Sequence, residues 1–290
     1  MNVTGANVRE GPLALICGGG TLPLAVADLV AARGRQVLLL PLRGFSDPAI
    51  YRDRPHHWIY FGQAGRVMRL MRAANCRDIA LIGSVVRPAL WQIRPDWLGL
   101  TLMWRIAPAF RGGDDHLLSA ISRMIEARGF HLLGVHEIAP EILMPKGALG
   151  SVLPSERDRI DIALGFHYLR AAGPFDVGQA VVVADRRVLA VEAAEGTDQM
   201  LARVAQLRDE GRISLPSGHG VLVKAAKPAQ DRRLDLPSIG PTTIDGIARS
   251  GLAGVAVTAA ETVIAEAAEV TAKADRANIF VIGADAGDYA

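Results

Sequence analysis

The fold is decided by residues 13–34, which read LALICGGGTLPLAVADLVAARG. Leu13–Cys17 is a short apolar run that ends in the glycine turn Gly18-Gly19-Gly20. From Leu24 to Ala31, apolar residues recur at helical spacing until Gly34 ends the helix. A strand, a glycine turn and a helix in this order are typical of the first unit of a parallel α/β sheet.

The same alternation continues along the chain. Val37–Leu42 predicts a second strand, 62–74 an amphipathic helix and Asp78–Ile82 a third strand. We therefore expect an α/β protein whose first domain, residues 1–140, is a Rossmann-like parallel-sheet domain that binds a nucleotide.

A second domain follows a break in the pattern. Residues 141–155 are rich in Pro and Gly and predict a linker. Two apolar runs then flank Asp185-Arg186-Arg187, which indicates a β-hairpin. Helices and strands alternate from there, so we expect a distinct C-terminal α/β catalytic domain over residues 156–290.

Composition and charge exclude several classes of protein. Half of the 290 residues are hydrophobic and 21% are charged, which excludes disorder and a coiled coil. The 32 basic and 30 acidic side chains are too balanced for a general nucleic-acid binder. The sequence has no apolar run of the roughly 20 residues that a spanning helix needs, nor a basic leader, so we expect a cytoplasmic protein.

The sequence offers few kinds of side chain that could bind a metal ion. The two cysteines and seven scattered histidines cannot form a disulfide framework, a four-ligand zinc site or a di-iron site. Carboxylates remain, and they favour a hard cation such as Mg²⁺.

Three candidate sites contain glycine turns or helix starts. Gly18-Gly19-Gly20-Thr21-Leu22 lies where a phosphate cradle belongs, although a tight turn without ligand is the alternative, because neither GxGxxG nor a P-loop is present. At Gly113-Asp114-Asp115, one carboxylate can cap a helix and the other is spare. Glu195-Gly196-Thr197-Asp198 follows a strand, and either Thr197 or Asp198 can be a helix cap. Gln179 directly precedes the earlier apolar run, Ala180–Val183.

The densest polar cluster is residues 224–240, with Lys224, Lys227, Gln230, Arg233 and Asp235. A solvated loop is the default interpretation of such charge. The carboxylate of Asp235, directly before a Leu-Pro turn, indicates a positioned group instead. Cations beside a carboxylate suit phosphoryl transfer, and we expect the neighbouring Lys and Arg side chains to keep Asp235 ionised.

The Trp-rich segment 90–110 has two interpretations. A buried core helix is the main one. A surface for acyl chains or for a bilayer interface is the alternative, because Arg94 and Arg105 are interspersed.

In their order, these motifs resemble the LpxI family, which are UDP-2,3-diacylglucosamine pyrophosphatases of lipid A biosynthesis. The resemblance rests on GGGTLP, Arg87-Pro88, GDD, EGTD and VKAAKPAQDRRLDLPSIG, and it runs from Leu13 to Gly283. Where the family usually has Gly-Asn, this chain has Gly83-Ser84.

The resemblance implies a cytoplasmic, Mg²⁺-dependent hydrolase that splits UDP-2,3-diacylglucosamine into UMP and 2,3-diacylglucosamine 1-phosphate (lipid X). The resemblance also implies that water attacks the sugar-side phosphorus, that the lipid is held between two domains, and that the protein forms a homodimer. The catalytic Asp of the family corresponds to Asp235. We also expect peripheral contact with the inner face of the inner membrane, and no nucleic-acid partner.

Three roles follow for the residues of these motifs. Catalysis is assigned to Lys224, Gln230, Arg233 and Asp235, and metal binding to Asp198 and Asp235. Substrate binding is assigned to Gly18, Gly19, Gly20, Thr21, Leu22, Arg87, Gly113, Asp114, Asp115, Gln179, Glu195, Gly196, Thr197, Asp198 and Lys227.

Two other functions compete with hydrolysis. A nucleotide-dependent oxidoreductase would need an acidic residue after the second strand, where this chain has Pro41-Leu42-Arg43. A non-catalytic nucleotide-sugar sensor would keep the glycine turn but has no need of Asp235 beside Lys and Arg.

Overall fold

The structure, a computed structural model, describes residues 11–85, 92–106, 114–175, 177–227 and 231–285, without the side chains of 104–106 and 114–118. The chain divides into two units, Met1–Ala139 and Pro140–Ala290. Each contains helices packed on its own sheet, parallel in the first unit and mixed in the second. The predicted fold class, two α/β domains, is confirmed.

The first unit has a parallel sheet with the described strands in the order β2-β1-β3-β4. The chain passes from β1 to β2 on one side and then to β3 on the other, so the strand order reverses at β1. Its elements are β1 (Leu13–Cys17), α1 (Leu22–Ala32), β2 (Val37–Pro41), a 3₁₀ turn (Pro48–Tyr51), α2 (Ala64–Ala73), β3 (Asp78–Ile82), α3 (Trp97–Ile106), α4 (Asp114–Glu126), β4 (His131–Leu132) and α5 (Val135–Ile138).

The strands β1, β2 and β3 of this sheet end at one level. Cys17 at the end of β1 is in register with Pro41 of β2 and with Ile82 of β3. The side chains of β1 are almost wholly buried because helices and loops cover both faces of the sheet. The glycine turn Gly18-Gly19-Gly20 therefore leaves the sheet at its carboxyl edge, where the strand order reverses.

The second unit has a mixed sheet in the order β5-β12-β10-β8-β6-β7. A parallel core of β8, β10 and β12 is flanked by the antiparallel hairpin β6–β7 on one side and by β5 on the other. Its elements are β5 (Gly147–Ala148), α6 (Glu156–Ala172), β6 (Ala180–Ala184), β7 (Arg187–Val191), α7 (Gly196–Asp209), β8 (Val221–Lys224), β9 (Ser238–Ile239), α8 (Pro241–Arg249), β10 (Gly254–Thr258), β11 (Val263–Ile264), α9 (Ala267–Arg276) and β12 (Phe280–Ala284).

Both faces of the sheet are buried at β6, β8, β10 and β12, and strand residues alternate between them. Val182 packs with α7, α8 and α9, whereas Val181 and Val183 pack with α6. This explains why the strands read as continuous apolar runs. The predicted hairpin is confirmed: Asp185 and Arg186 both have positive φ, as a two-residue turn requires.

The segment 141–155, which the sequence predicts as a linker, is part of the second unit. Met144 is 1% exposed in its core, and β5 pairs with β12. Pro and Gly interrupt regular structure here, as the composition indicated. The apolar side chains between them are nevertheless buried, because the edge of β12 provides a partner for this backbone.

Candidate active site

The glycine turn of the first unit lies at the position where open α/β sheets bind ligands, the carboxyl edge at the reversal of strand order. Gly20 and Thr21 are exposed there, and Leu22 begins α1. Thr21 is the N-cap of α1, although its side chain makes no capping hydrogen bond. The turn is thus placed to present a helix N-terminus to a ligand.

Two of its three glycines are also required by packing. Gly19 forms an antiparallel bridge with Ser84, through N–H···O distances of 2.8 and 3.1 Å. A Cβ on Gly18 would lie 2.7 Å from the Ser84 carbonyl oxygen, and one on Gly19 would lie 2.8 Å from Ser84 Oγ. Gly20 has open space but a φ of +85°. Gly18 and Gly19 therefore have a structural role whether or not the turn binds a ligand.

Several assigned residues lie outside the described part of the chain. These are Arg87, Gly113 and Gln230, together with the side chains of Asp114 and Asp115. The backbone of Asp114 begins α4, as the motif indicated.

In the second unit, the structure brings Lys224 and Thr197 together. Lys224 Nζ at the end of β8 donates to Thr197 Oγ1 at 2.8 Å, and Thr197 donates to Glu192 Oε1 at 2.7 Å. A hydroxyl has one proton, so these two bonds have a single polarity that runs from the ammonium to the carboxylate. Thr197 thereby connects a cation to an anion.

Glu192 is the residue that the sequence analysis missed. It directly follows β7 and is 9% exposed. Its Oε2 accepts the backbone N–H of Gln179 at 2.7 Å, and the side-chain amide of Gln179 donates to Asp235 Oδ2 at 3.2 Å. Glu192 is therefore joined through Thr197 to Lys224 and through Gln179 to Asp235. In the sequence, its position immediately after an apolar strand is the feature that could have identified it.

The electrostatics of Lys224 follow from this environment. Burial lowers the pKa of Lys224 below its usual value, and the carboxylates of Glu192, Asp198 and Asp235 oppose that lowering. The ammonium group is thus partly removed from water and faces acidic groups. A cation in this state interacts more strongly with a phosphate than one in bulk solvent does.

Around the start of α7, the predicted capping role is wrong. The N-cap is Glu195, not Thr197 or Asp198, and Glu195 makes no side-chain capping bond. The side chain of Thr197 instead bonds Glu192, while Glu195 forms an ion pair with Arg203 at 2.7 Å. Gly196 has φ +79°, which lets the chain enter the helix.

The loop after β8 distributes its charges over several partners. Arg233 Nη2 lies 2.8 Å from Asp231 Oδ2, and Arg232 Nη2 lies 2.7 Å from Glu261 Oε1. Both arginines, expected to keep Asp235 ionised, therefore also have other carboxylate partners. Lys227 lies three residues beyond the end of β8 and is partly buried.

The possibility that Asp235 caps the following helix is excluded by the position of that helix. The N-cap of α8 is Gly240, five residues later, and its N–H donates to Thr243 Oγ1 at 3.3 Å. Asp235 instead accepts the hydrogen bond from Gln179 across the sheet edge. Its carboxylate is therefore positioned by tertiary structure and has no helix-capping role.

Among the described residues, no three His, Cys, Asp or Glu side chains are grouped so as to hold a metal ion. The acidic groups that share the surroundings of Lys224, which include Asp198 and Asp235, offer only oxygen donors. Mg²⁺ prefers such donors and is commonly held by one or two carboxylates plus substrate phosphates. The residues present fit a Mg²⁺ ion that the substrate helps to bind.

Comparison with known proteins covers both units. A family model described as the LpxI N-terminal domain matches residues 12–142, and one described as the LpxI C-terminal domain matches residues 145–282. A protein of Caulobacter vibrioides (strain ATCC 19089 / CIP 103742 / CB 15), named UDP-2,3-diacylglucosamine pyrophosphatase LpxI, is 40% identical over 273 residues. That match covers 94% of this chain and 97% of the relative. The chain belongs to the LpxI family.

Proposed function

We propose that this chain hydrolyses the pyrophosphate bond of UDP-2,3-diacylglucosamine to UMP and 2,3-diacylglucosamine 1-phosphate in lipid A biosynthesis. The observation that carries the proposal is the match to a relative named for this activity over 94% of the chain. The geometry around Lys224 and Asp235 supports the proposal. A cation and a carboxylate that are both fixed by hydrogen bonds can promote the attack of water on a phosphoric anhydride.

In this reaction a water oxygen bonds to one phosphorus while the bridging P–O bond breaks and the other phosphate leaves. Asp235, held by Gln179, orients the water by accepting a hydrogen bond from it. Lys224, held through Thr197, neutralises phosphate oxygens. The proposal also includes Arg233 and Gln230 among the catalytic residues. Positioning and charge neutralisation supply most of the catalysis in phosphoryl transfer.

We assign Asp235 and Asp198 as the side chains that would hold Mg²⁺. The ion would supply charge neutralisation at the pyrophosphate. Because the described residues do not form a three-carboxylate cluster, affinity for the ion should depend on the substrate. We expect activity to be lost in EDTA and restored by Mg²⁺. In the unmodified chain, Mg²⁺ should bind more weakly alone than in the presence of a non-hydrolysable analogue of the substrate. Full turnover after exhaustive chelation would contradict the assignment.

The remaining assignments concern substrate binding. We propose that Gly18–Leu22 bind the nucleotide, together with Arg87 and the residues 113–115. In the second unit, Gln179, Glu195–Asp198 and Lys227 would contact the sugar or the pyrophosphate. The exposed turn at Gly20 and the placement of Thr197 beside Lys224 support these roles.

The acyl chains of the substrate support a peripheral contact with the inner membrane from the cytoplasmic side. On α3, Trp97 is 82% and Leu100 42% exposed, whereas Leu102 is buried. Part of the Trp-rich segment 90–110 is thus surface rather than core. In the described part of the chain, no helix is both long and apolar enough to cross a membrane. The proposal that the protein is a homodimer rests on the family resemblance.

One assay tests the proposed function. The purified chain is incubated with UDP-2,3-diacylglucosamine and Mg²⁺, and UMP and the lipid 1-phosphate are quantified by mass spectrometry. We expect equal amounts of the two products. Binding of the substrate without release of UMP would favour a nucleotide-sugar sensor instead.

A further inference from the structure

A row of aromatic rings lies beside the carboxyl end of β2. Residues 56–60 run parallel to β2, with bridges Leu39–His56 and Leu42–Ile59. Strand alternation directs Ile59, which is 2% exposed, to one face. His56, Trp58 and Tyr60 share the other face.

Two guanidinium groups lie on these rings. The guanidinium carbon of Arg43 is 5.0 Å from the centroid of Trp58 and 5.9 Å from that of Tyr60, and that of Arg94 is 4.6 Å from the centroid of Tyr60. Both arginines are exposed, and neither forms an ion pair with any residue that the structure describes. We name Arg43, Trp58, Tyr60 and Arg94 the cation–aromatic platform.

The platform is adjacent to the glycine turn. Cys17, which precedes the turn, is in register with Pro41, and the Leu42 N–H donates to the Cys17 carbonyl at 2.9 Å. The carbonyl oxygen of Phe45 lies 3.0 Å from where a Cβ on Gly19 would be. Arg43 therefore lies between the glycine turn and the aromatic row, at the strand end where doubly wound sheets bind the nucleoside part of a ligand.

The chemistry of the platform limits its ligand. A guanidinium group is planar and packs against aromatic rings, and nucleobases in turn stack on guanidinium planes. Two cations without carboxylate partners among the described residues also attract an anion. A base joined to a phosphate has both properties, whereas a phospholipid headgroup has no planar ring.

We propose that the cation–aromatic platform is the nucleotide subsite, in which the base stacks on Arg43 and the phosphate is drawn to Arg43 and Arg94. This inference rests on the proposed function, and it adds these four residues to Gly18–Leu22 as the part of the first unit that binds the UMP half of the substrate.

The test compares binding of UMP and of ribose 5-phosphate, which lacks the base, by calorimetry on the full chain. In the unmodified protein we expect UMP to bind at least tenfold more tightly than ribose 5-phosphate. Arg43→Lys keeps the positive charge but removes the planar guanidinium group. It should therefore weaken the binding of UMP at least fivefold and leave the affinity for ribose 5-phosphate within twofold. Arg43→Ala should weaken both ligands. Arg72→Ala, an exposed arginine on α2, is the matched control and should bind both as the unmodified protein does.

Kinetics separate this inference from the proposed function. With UDP-2,3-diacylglucosamine, Arg43→Lys should raise KM by a larger factor than it lowers kcat. Unchanged UMP affinity and KM in Arg43→Lys and Arg43→Ala, in an active enzyme, would overturn the platform and leave the hydrolase standing. UMP binding that depends on Arg43, in a chain that releases no UMP from the substrate, would overturn the hydrolase and leave the platform standing.

Discussion

The hydroxyl of Thr197 lies 2.7 Å from a carboxylate oxygen of Glu192 and donates its proton to it. Because that proton is used, the same oxygen accepts from Lys224, 27 residues further along the chain. Within the motif EGTD, the threonine is therefore the residue that connects Lys224 to Glu192. Glu192 itself precedes the motif.

Thr197 can be tested by a matched pair of substitutions. Thr197→Val keeps the shape of the side chain but removes the hydroxyl, so Lys224 loses an acceptor and Glu192 a donor. We expect kcat/KM to fall at least tenfold and stability to fall by about 1–3 kcal/mol. Thr197→Ser restores the oxygen and should stay within threefold of the unmodified enzyme. Equal activity of the two variants would show that the hydroxyl has no role.

Glu192→Gln tests the carboxylate. A glutamine has one acceptor oxygen, so its NH₂ group must face either the Gln179 N–H or the Thr197 hydroxyl, both of which donate to Glu192. We expect a loss of about 1–3 kcal/mol in denaturant melts and at least a tenfold fall in kcat/KM. Glu210→Gln, which changes an exposed ion pair with Arg212, is the control and should alter stability by less than about 1 kcal/mol. If the two variants behave alike, the charge of Glu192 has no role in stability or catalysis.

Asp235→Asn should separate catalysis from stability. The amide oxygen can still accept from Gln179, and Gly240 rather than Asp235 begins α8, so the melting temperature should change little. We expect kcat to fall by orders of magnitude while substrate affinity survives, because a negative charge next to the pyrophosphate is removed. Turnover, binding and melting are measured together. Normal kcat with a lowered melting temperature would refute the catalytic role.

The glycine turn calls for different substitutions than its sequence suggests. Gly19→Val cannot test ligand binding separately from the fold, because even an alanine Cβ would meet Ser84 Oγ at 2.8 Å and the Phe45 carbonyl oxygen at 3.0 Å. We expect Gly19→Ala to cost about 1–3 kcal/mol, and Ser84→Ala in the same chain to recover part of that loss. Gly20→Ala adds its methyl group in open space at a φ of +85°, so it should cost about 1–2 kcal/mol and also weaken UMP. Unchanged UMP affinity in folded Gly20→Ala would leave the turn a structural element only.

Cys17 gives a pH-dependent prediction. Burial raises the pKa of Cys17 from 9.0 to about 11. Between these two pH values, the thiol keeps its proton in the folded state and loses it in the unfolded state. This contribution to stability is complete below pH 9 and is lost as the pH rises through about 11. Its full size is roughly 2–3 kcal/mol. Urea midpoints should fall over this range, and less steeply in Cys17→Ala. At pH 8, native protein should leave Cys17 unreactive towards a thiol reagent; rapid labelling would contradict its burial.

Local pattern accounts for much of the fold. The predicted strand Leu13–Cys17 and the helix after the glycine turn match β1 and α1, because apolar spacing and a run of glycines are local signals. The hairpin at Asp185-Arg186 was predictable for the same reason. The segment 141–155 was not, since its composition signals a break in regular structure but cannot show that Met144 is buried against a neighbouring strand.

By itself, the sequence determined which polar residues exist near strand ends and which family motifs they form: Gly18–Leu22, the EGTD run and the loop that contains Asp235. Only the tertiary structure decided which of them meet. Glu192, Thr197 and Lys224 come together because β7 and β8 end on either side of β6, and Gln179 reaches Asp235 over a separation of 56 residues. Hydrogen bonds of this kind depend on distances of about 3 Å between strands, which residue order along the chain does not specify.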